Sequence, residues 1–317
     1  MYINKETLDD LLRAVLTELL ANGSPIDPTR APAVELAGVL LEIGNPRARL
    51  SRTETKGKAI SCVGELLWYL SGSDSAEHIR YYIPLYAEES EDGETIYGAY
   101  GPRLLNWHGQ NQLQNVINLL KVTPNTRRAV IQIFDALDIG ERSTRRKEIP
   151  CTCMLQFLLR DNQLQLIVNM RSNDAHLGLA HDVFAFTMLQ EIVARSLGVE
   201  IGTYKHFVGS LHLYNRDRAK AEKFLSEGFQ PTNIPMPEMP SGDPWDSIEK
   251  MLRVEQSLRS NEKCNLSDFD LPLYWQDLAR LLAIFAASRA ADAGEAQKNA
   301  LEIGDPAYKI YIESRVK

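Results

Sequence analysis

Apolar side chains recur at helical spacing in several parts of the chain. In 8–20, leucines and a valine fall every three or four positions, and Asn22-Gly23 is a typical helix end. The stretch 182–197 repeats the pattern and stops at Gly198, with Asp182 in the position of an N-cap. Helices are predicted over 8–22, 62–70, 112–121, 182–197, 244–258 and 271–291.

Short apolar runs bounded by turn residues predict strands between these helices. Strands are predicted over 36–43, 129–134, 152–159, 163–170 and 204–209. Asp161-Asn162 is a turn that pairs two of these strands as a hairpin. Strands and helices in irregular order indicate an α+β or layered α/β architecture.

Composition narrows the class of protein. The 317 residues allow one large domain or two, and 44% hydrophobic and 24% charged residues are ordinary for a globular protein. With four cysteines, no long apolar run and no signal-peptide pattern, a reducing, cytoplasmic setting is expected. A net charge of −7 argues against broad nucleic-acid binding, so local arginines would have to hold any anionic ligand.

The strongest candidate for chemistry is Cys151, which follows Pro150 and begins an apolar strand. A cysteine there is often a small buried hydrophobe, whereas a nucleophile needs a lowered pKa. Arg171 could lower that pKa if the two hairpin strands pair. Cys153 shares a strand face with Cys151, but no second Cys/His pair at zinc spacing follows, so no metal is expected.

Other candidates each have a structural alternative. Glu65 lies in an apolar helix and is either a surface residue or a partnered buried acid. Arg127-Arg128 is either surface charge or a fork for phosphate. Asp182 is a helix cap or a ligand-binding group, and His212-x-Tyr214 is core or site.

Taken together, these motifs resemble the folate-dependent thymidylate synthase family, which includes the pyrimidine nucleotide hydroxymethylases. The resemblance covers roughly 8–225. It implies one catalytic domain over 1–317 with a large mixed β-sheet, surrounding helices and a sheet-mediated homodimer, and with a divergent helical region at about 230–317. The matching residues are Glu65-Leu66-Leu67-Trp68, Tyr97-Gly98, Arg127-Arg128, Pro150-Cys151, Gln156-Phe157, Arg171-Ser172-x-Asp174, Leu177-Gly178, Gly209 and His212-x-Tyr214.

The resemblance implies a covalent mechanism. Cys151 would add to C6 of a pyrimidine, making C5 nucleophilic toward the methylene carbon of 5,10-methylenetetrahydrofolate. Glu65 would order water and handle protons, and Tyr97 would assist removal of the C5 proton. Asp174 and Gly178 would lie on the folate side.

It also implies how the nucleotide is held. Arg171 and Ser172 would bind the phosphate, with Arg30 as a further phosphate arginine. Arg127 and Arg128 would reach the phosphate site of the neighbouring subunit. His212 and Tyr214 would bind the sugar 3′-hydroxyl.

One departure from the family concerns the base. Uracil-methylating members carry Asn in Leu-Gly-x-Pro-Phe-Asn, where this chain has Asp182 preceded by His181. An amide meets the uracil N3–H and O4, whereas an aspartate accepts from the cytosine amino group and stabilises protonated N3. The mismatch with uracil is worth several kcal/mol in a dry site, so a cytidylate is expected.

Other departures concern the product and the folate site. Methylating members have tryptophans that exclude water before Tyr-Gly, but none occurs between Trp68 and Trp107, and Thr152 replaces their histidine. Water is therefore expected to complete a hydroxymethyl group. The stretch 311–317 does not match the apolar segment that closes over the folate in the family.

The leading hypothesis is thus 5-hydroxymethylation of a cytidylate. Ser172 matches the pattern of deoxynucleotide users, which favours dCMP, while CMP stays open. The alternatives are a methyltransferase acting on dUMP or dCMP, and a catalytically silent nucleotide- or RNA-binding relative.

Overall fold

The computed structural model describes residues 1–54, 57–140, 146–228 and 232–313. The strands in these residues are β1 (Tyr2–Lys5), β2 (Ser24–Ile26), β3 (Ala33–Ile43), β4 (Val130–Gln132), β5 (Thr152–Arg160), β6 (Gln163–Asp174) and β7 (Glu200–Tyr214). The α-helices are α1 (Leu8–Asn22), α2 (Ala59–Leu70), α3 (Ala76–Tyr82), α4 (Tyr100–Leu105), α5 (Gln112–Val122), α6 (Gly178–Leu197), α7 (Arg218–Ser226), α8 (Trp245–Arg259), α9 (Leu273–Arg289) and α10 (Ala293–Glu302). A short 3-10 helix spans Pro84–Glu88.

One mixed sheet joins all of the strands found in the described ranges. Its order is β1-β3-β7-β6-β5-β4, with β2 paired to β3. The hairpin β5–β6 turns at Asp161 and Asn162, whose φ values of 50° and 59° lie in the left-handed region that Asp and Asn tolerate. β6 and β7 run parallel, with α6 between them in sequence. The predicted α+β fold with a large mixed sheet is therefore confirmed.

Helices cover one face of the sheet and leave the other partly open. Val39, Val168 and Val208 point to the covered side, against α1 and α6, and are 0% exposed. On the opposite face, Phe207 and Ile167 are only half-buried, as is Leu158 on the neighbouring strand. A sheet of this size thus carries a second, partly apolar face.

Most predicted elements are confirmed, but several of their bounds differ from the prediction. The hairpin and the long helices are present, whereas the strand predicted over 129–134 is reduced to β4 and that over 204–209 grows into the 15-residue β7. The reading of Asp182 as an N-cap is wrong, because α6 begins earlier, at Gly178. No helix in the described ranges is long and apolar enough to cross a membrane.

A buried ion pair ties the fold together behind the sheet. Glu191 in α6 is 0% exposed and accepts from Arg47 at 2.8 Å, from the buried Arg49, and from the backbone N–H of Met239 at 3.1 Å. These contacts connect α6 to the segment after β3 and to the segment before α8. The guanidinium groups also hold the pKa of Glu191 below its usual value, although burial opposes this.

We expect Glu191→Gln to lower the free energy of unfolding by about 3 kcal/mol, because the charge of Arg49 would be left buried without its counter-ion. Urea unfolding measures this. The matched control is Glu222→Gln, whose exposed pair with Arg218 at 3.0 Å should contribute less than about 1 kcal/mol. Equal effects of the two substitutions would contradict the assignment.

Candidate active site

Pairing of β5 with β6 brings Cys151 and Arg171 together. The backbone N–H of Arg171 donates to the carbonyl of Cys151 at 2.8 Å, and its Nη2 lies 3.7 Å from Cys151 Sγ. The same guanidinium donates to the carbonyls of Ile149 and Pro150 at 2.8 and 2.9 Å. These two hydrogen bonds to backbone carbonyls hold the guanidinium group of Arg171 beside the thiol.

The expectation that this arginine gives Cys151 a lowered pKa is wrong. Burial raises the pKa of the Cys151 thiol to about 11, and Arg171 only opposes that shift. The carboxyl groups of Glu148 and Asp182 raise it further. Desolvation outweighs a single nearby cation, so the protein without ligand holds this cysteine as a thiol at neutral pH.

Glu65 is the best-partnered acid of the site. Glu65 is only 4% exposed, so the alternative that it is a surface glutamate is wrong. Oε1 accepts from the hydroxyls of Tyr69 and Tyr86 at 3.1 and 2.9 Å, and Oε2 lies 2.7 Å from Nδ1 of His181. These groups satisfy a carboxylate that would otherwise be costly to bury.

Asp182 lies one turn into α6, among the charged groups around Cys151. Its Oδ2 accepts from the side-chain amide of Asn173 at 2.6 Å. Burial, with the Glu65 carboxylate as the next cause, raises the pKa of Asp182 to about 7. A Cβ on Gly178 would lie 3.2 Å from the Asn173 amide nitrogen and 3.3 Å from Asp182 Oδ2, so glycine gives this pair its room.

Glu148 is an acid of the pocket that sequence reasoning missed. Burial raises its pKa to about 7, and within the described residues its Oε2 is buried without a hydrogen-bond partner. A Cβ on Gly98 would fall 1.8 Å from that oxygen, so any larger residue there would require the carboxyl of Glu148 to move. The only sign of this in the sequence was that Glu148 stands three residues before Cys151.

Tyr97, a predicted site residue, and Tyr100 lie on either side of Gly98 in different surroundings. The ring of Tyr97 packs against the guanidinium groups of Arg103 and Arg146, at 5.3 and 4.1 Å from its centroid. Tyr100, which sequence reasoning missed, accepts at its hydroxyl from both N–H and Oγ1 of Thr152, at 3.2 and 3.0 Å. The hydroxyl of Tyr100 is therefore anchored to the residue that follows Cys151.

Parallel pairing of β6 and β7 gathers the remaining polar candidates. Ser172 Oγ lies 3.4 Å from His212 Nδ1, and the ring of Tyr214 packs edge-on against His212 with centroids 4.9 Å apart. Asp174 pairs with His212 in register and accepts from the backbone N–H groups of His176 and Leu177. All of these residues sit at the carboxyl ends of the two strands.

The predicted phosphate arginines separate into two groups. Arg30 pairs with Glu89, and its charge lowers the pKa values of Cys151 and Tyr214 against their burial, so it belongs to the same pocket. Arg127 precedes Ala129, whose carbonyl accepts from Phe157 at 2.9 Å. Phe157 is six residues along β5 from Cys151, roughly 20 Å of strand. Arg127 and Arg128 thus lie far from their own thiol.

In the residues that the structure describes, no group of three His, Cys, Asp or Glu side chains could hold a metal ion. The family model described as thymidylate synthase matches residues 45–274.

The chain is similar to individual proteins with two different named activities. A deoxyuridylate hydroxymethyltransferase of Bacillus phage SP01 is 32% identical over 64% of this chain and 56% of that protein. One of Delftia phage PhiW-14 is 30% identical over 68% of this chain and 62% of that protein. A thymidylate synthase of Francisella philomiragia is 30% identical over 55% of this chain and 68% of that protein. The chain therefore spans only part of the length of the phage relatives.

The charges around the thiol predict its reactivity. At about pH 8.5, where both carboxyls are ionised, we expect Asp182→Asn and Glu148→Gln to speed alkylation of Cys151, and Arg171→Met to slow it, because a change of one pKa unit alters the thiolate fraction about tenfold. Iodoacetamide labelling followed by peptide mass spectrometry measures the rates, with Cys264 as internal control. Faster labelling in Arg171→Met would contradict this account of the thiol.

Proposed function

The chain belongs to the thymidylate synthase family, and from that premise we propose that this one-carbon transferase converts dCMP into 5-hydroxymethyl-dCMP. The observation that carries the proposal is the carboxyl group of Asp182, held by Asn173 at 2.6 Å within the pocket of Cys151. Methylenetetrahydrofolate, the co-substrate that the family uses, supplies the carbon.

The oxygens of Asp182 suit cytosine when they are ionised. Asn173 occupies one lone pair of Oδ2, which leaves Oδ1 free to accept from the cytosine amino group. The same carboxylate stabilises a proton on N3, which becomes more basic once the sulfur has added to C6. Uracil presents the opposite pattern at position 4, an acceptor that an ionised carboxylate repels.

The protonation state of Asp182 bears on a second candidate, dUMP. With a pKa of about 7, a neutral Asp182 carries one O–H donor and one carbonyl acceptor, the pattern of an amide. That form suits uracil, and the names of the phage relatives point to deoxyuridylate. We favour dCMP because a bound cytosine with protonated N3 stabilises the ionised acid and lowers its pKa.

The residues around the base provide the chemistry. Cys151 adds through its sulfur to C6 and loses its proton, and Arg171 at 3.7 Å stabilises the developing thiolate. C5 then bonds to the methylene carbon of the folate and loses its hydrogen as a proton. The bond from that carbon to the folate nitrogen breaks, which releases tetrahydrofolate and leaves an exocyclic methylene group on C5. Glu65 would exchange protons with the base and the water, and Tyr100, whose hydroxyl accepts from Thr152 Oγ1, provides a further hydroxyl near Cys151.

The surroundings of Glu65 favour water as the last nucleophile. Tyr86 comes from the segment where methylating members carry tryptophan, and it directs its hydroxyl to Glu65 at 2.9 Å. A pocket lined by hydroxyl and carboxyl groups can hold an ordered water, whereas indole rings exclude one. The exocyclic methylene carbon on C5 would then take up hydroxide rather than hydride.

We propose a homodimer in which each site is completed by the partner chain. Arg127 and Arg128 lie roughly 20 Å of strand away from their own Cys151. The half-buried sheet face that carries Ile167 and Phe207 offers a partly apolar surface for a two-fold interface. Pairing through this face would bring these arginines to the phosphate site of the partner chain, which is formed by Arg171, Ser172 and Arg30. In each site, His212 and Tyr214 would bind the sugar, and Asp174 and Gly178 would lie on the folate side.

The direct test is incubation with methylenetetrahydrofolate and dCMP, CMP or dUMP, with products identified by mass and dihydrofolate followed by absorbance. We expect a hydroxymethyl product from dCMP without dihydrofolate. Asp182→Asn should shift the preference toward dUMP by about tenfold to a hundredfold. Cys151→Ser should lose turnover, while Cys153→Ser, two residues along, retains it.

The pH dependence sharpens this test. Below about pH 7 the neutral form of Asp182 should raise the use of dUMP relative to dCMP, and Asp182→Asn should abolish that dependence. Methylated dUMP accompanied by dihydrofolate would instead identify a thymidylate synthase. No turnover of any pyrimidine nucleotide would support a catalytically silent relative.

Subunit complementation tests the shared site. Cys151→Ser and the double variant Arg127→Ala/Arg128→Ala should each be inactive alone, yet regain activity when mixed and refolded together, because one hybrid site keeps both functions. The matched control mixes Cys151→Ser with Arg171→Ala, which act in the same subunit and should not complement. Activity of the double arginine variant alone would exclude the shared site.

A further inference from the structure

We infer that His181 is a positioning residue that holds the Glu65 carboxylate oriented and ionised, so that this carboxylate takes the proton of the water that completes the hydroxymethyl group. The inference rests on the proposed function and adds a residue that the matching motifs of the family do not contain. It comes from a side chain that sequence reasoning noted only as a neighbour of Asp182.

The geometry places His181 between two helices. Its Nδ1 lies 2.7 Å from Glu65 Oε2, and its Nε2 lies 3.4 Å from the hydroxyl of Ser61. Glu65 and Ser61 are both residues of α2. The side chains of His181 and Glu65 are 17% and 6% exposed. The pair therefore spans the contact of α6 with α2 and is largely shielded from solvent.

A polar ring at this position needs a physical reason. In the motif that methylating members carry, the residue before the base-reading Asn is Phe, which packs but cannot donate. An imidazole in a shielded place costs desolvation unless a partner satisfies it. Here the partner is the carboxylate on which Tyr69 and Tyr86 also converge, so the substitution adds a third donor to Glu65.

The charges that face His181 favour its protonated form. Burial lowers the pKa of His181, but Cys62 and Glu65 on α2 outweigh it, and the pKa lies well above the usual value. From its own helix, the Asp182 carboxylate is the adjacent charge. An imidazolium that donates to a carboxylate forms an ion pair with it, so the 2.7 Å contact suits a charged ring beside Glu65.

An ionised Glu65 matters at one step. The oxygen of water bonds to the methylene carbon on C5, and its proton passes to the Glu65 carboxylate. The electron pair of the methylene double bond forms the C5–C6 double bond of the ring, and the electron pair of the C6–sulfur bond leaves on Cys151 as thiolate. His181 exchanges no atom, since it holds the base in place and sets its charge.

The first test compares His181→Phe and His181→Gln with the unaltered enzyme in hydroxymethyl-dCMP formation. In His181→Phe we expect kcat to fall by about tenfold to a hundredfold with KM for dCMP little changed. The acidic limb of the pH profile should move to higher pH, because Glu65 loses its cationic neighbour. Gln donates but carries no charge, so His181→Gln should recover part of kcat while the limb stays displaced.

A matched control is present elsewhere in the chain. His78 is buried against Glu255 with Nε2 at 3.2 Å from Oε1, outside the pocket. His78→Gln removes a similar histidine–glutamate pair and should leave kcat and the pH profile unchanged. If it moves the acidic limb as His181→Gln does, or if neither His181 variant moves it, the inference is overturned.

A second measurement does not depend on turnover. NMR titration of the His181 imidazole should show its pKa fall in Glu65→Gln relative to the unaltered protein. An unchanged titration would overturn the inference even if dCMP is hydroxymethylated. Absence of product from the unaltered enzyme, with the NMR shift present, would instead reject the proposed function and leave the His181–Glu65 pair established without the water step.

Discussion

The pairing of β6 with strands on both sides is the constraint on which the site depends. Antiparallel pairing with β5 sets Arg171 opposite Cys151, and parallel pairing with β7 sets Asp174 opposite His212. A shift of one residue in either ladder would turn these side chains to the other face of the sheet. The apolar residues of the covered face, such as Val168 and Val208 at 0% exposure, prevent that shift.

The helix α6 adds a second layer to this arrangement, because it begins where β6 ends. Starting at Gly178 rather than near Asp182, it presents His181 and Asp182 from its first turn and a half to the pocket. Each then meets a partner from another element, Glu65 on α2 for His181 and Asn173 on β6 for Asp182. The buried pairing of Glu191 with two arginines holds the rest of this helix in place.

Acidic groups crowded into one shielded pocket explain the unusual protonation of the site. Burial raises the pKa values of Glu148 and Asp182 to about 7 and that of Cys151 to about 11, and the carboxyl groups of Glu148 and Asp182 raise the pKa of Cys151 further. The positive charge of Arg171 beside the thiol is too weak to reverse the raised pKa of Cys151. A positive charge placed beside Asp182 would offset one of the opposing charges, which links the surroundings of Asp182 to the pKa of the Cys151 thiol.

The sequence by itself determined the family, the hairpin of β5 and β6, the long helices and the set of motifs from Cys151 to Tyr214, because these follow from local periodicity, turn residues and motif spacing. It could not determine that Glu65 is buried, that Asp182 is no helix cap, or that Glu148, Tyr100 and His181 face the pocket. Those facts depend on which elements touch across long separations, as His181 and Glu65 do at 116 positions apart. Only the tertiary structure also decided the thiol pKa, because desolvation depends on everything packed around the sulfur and has no signature in local sequence.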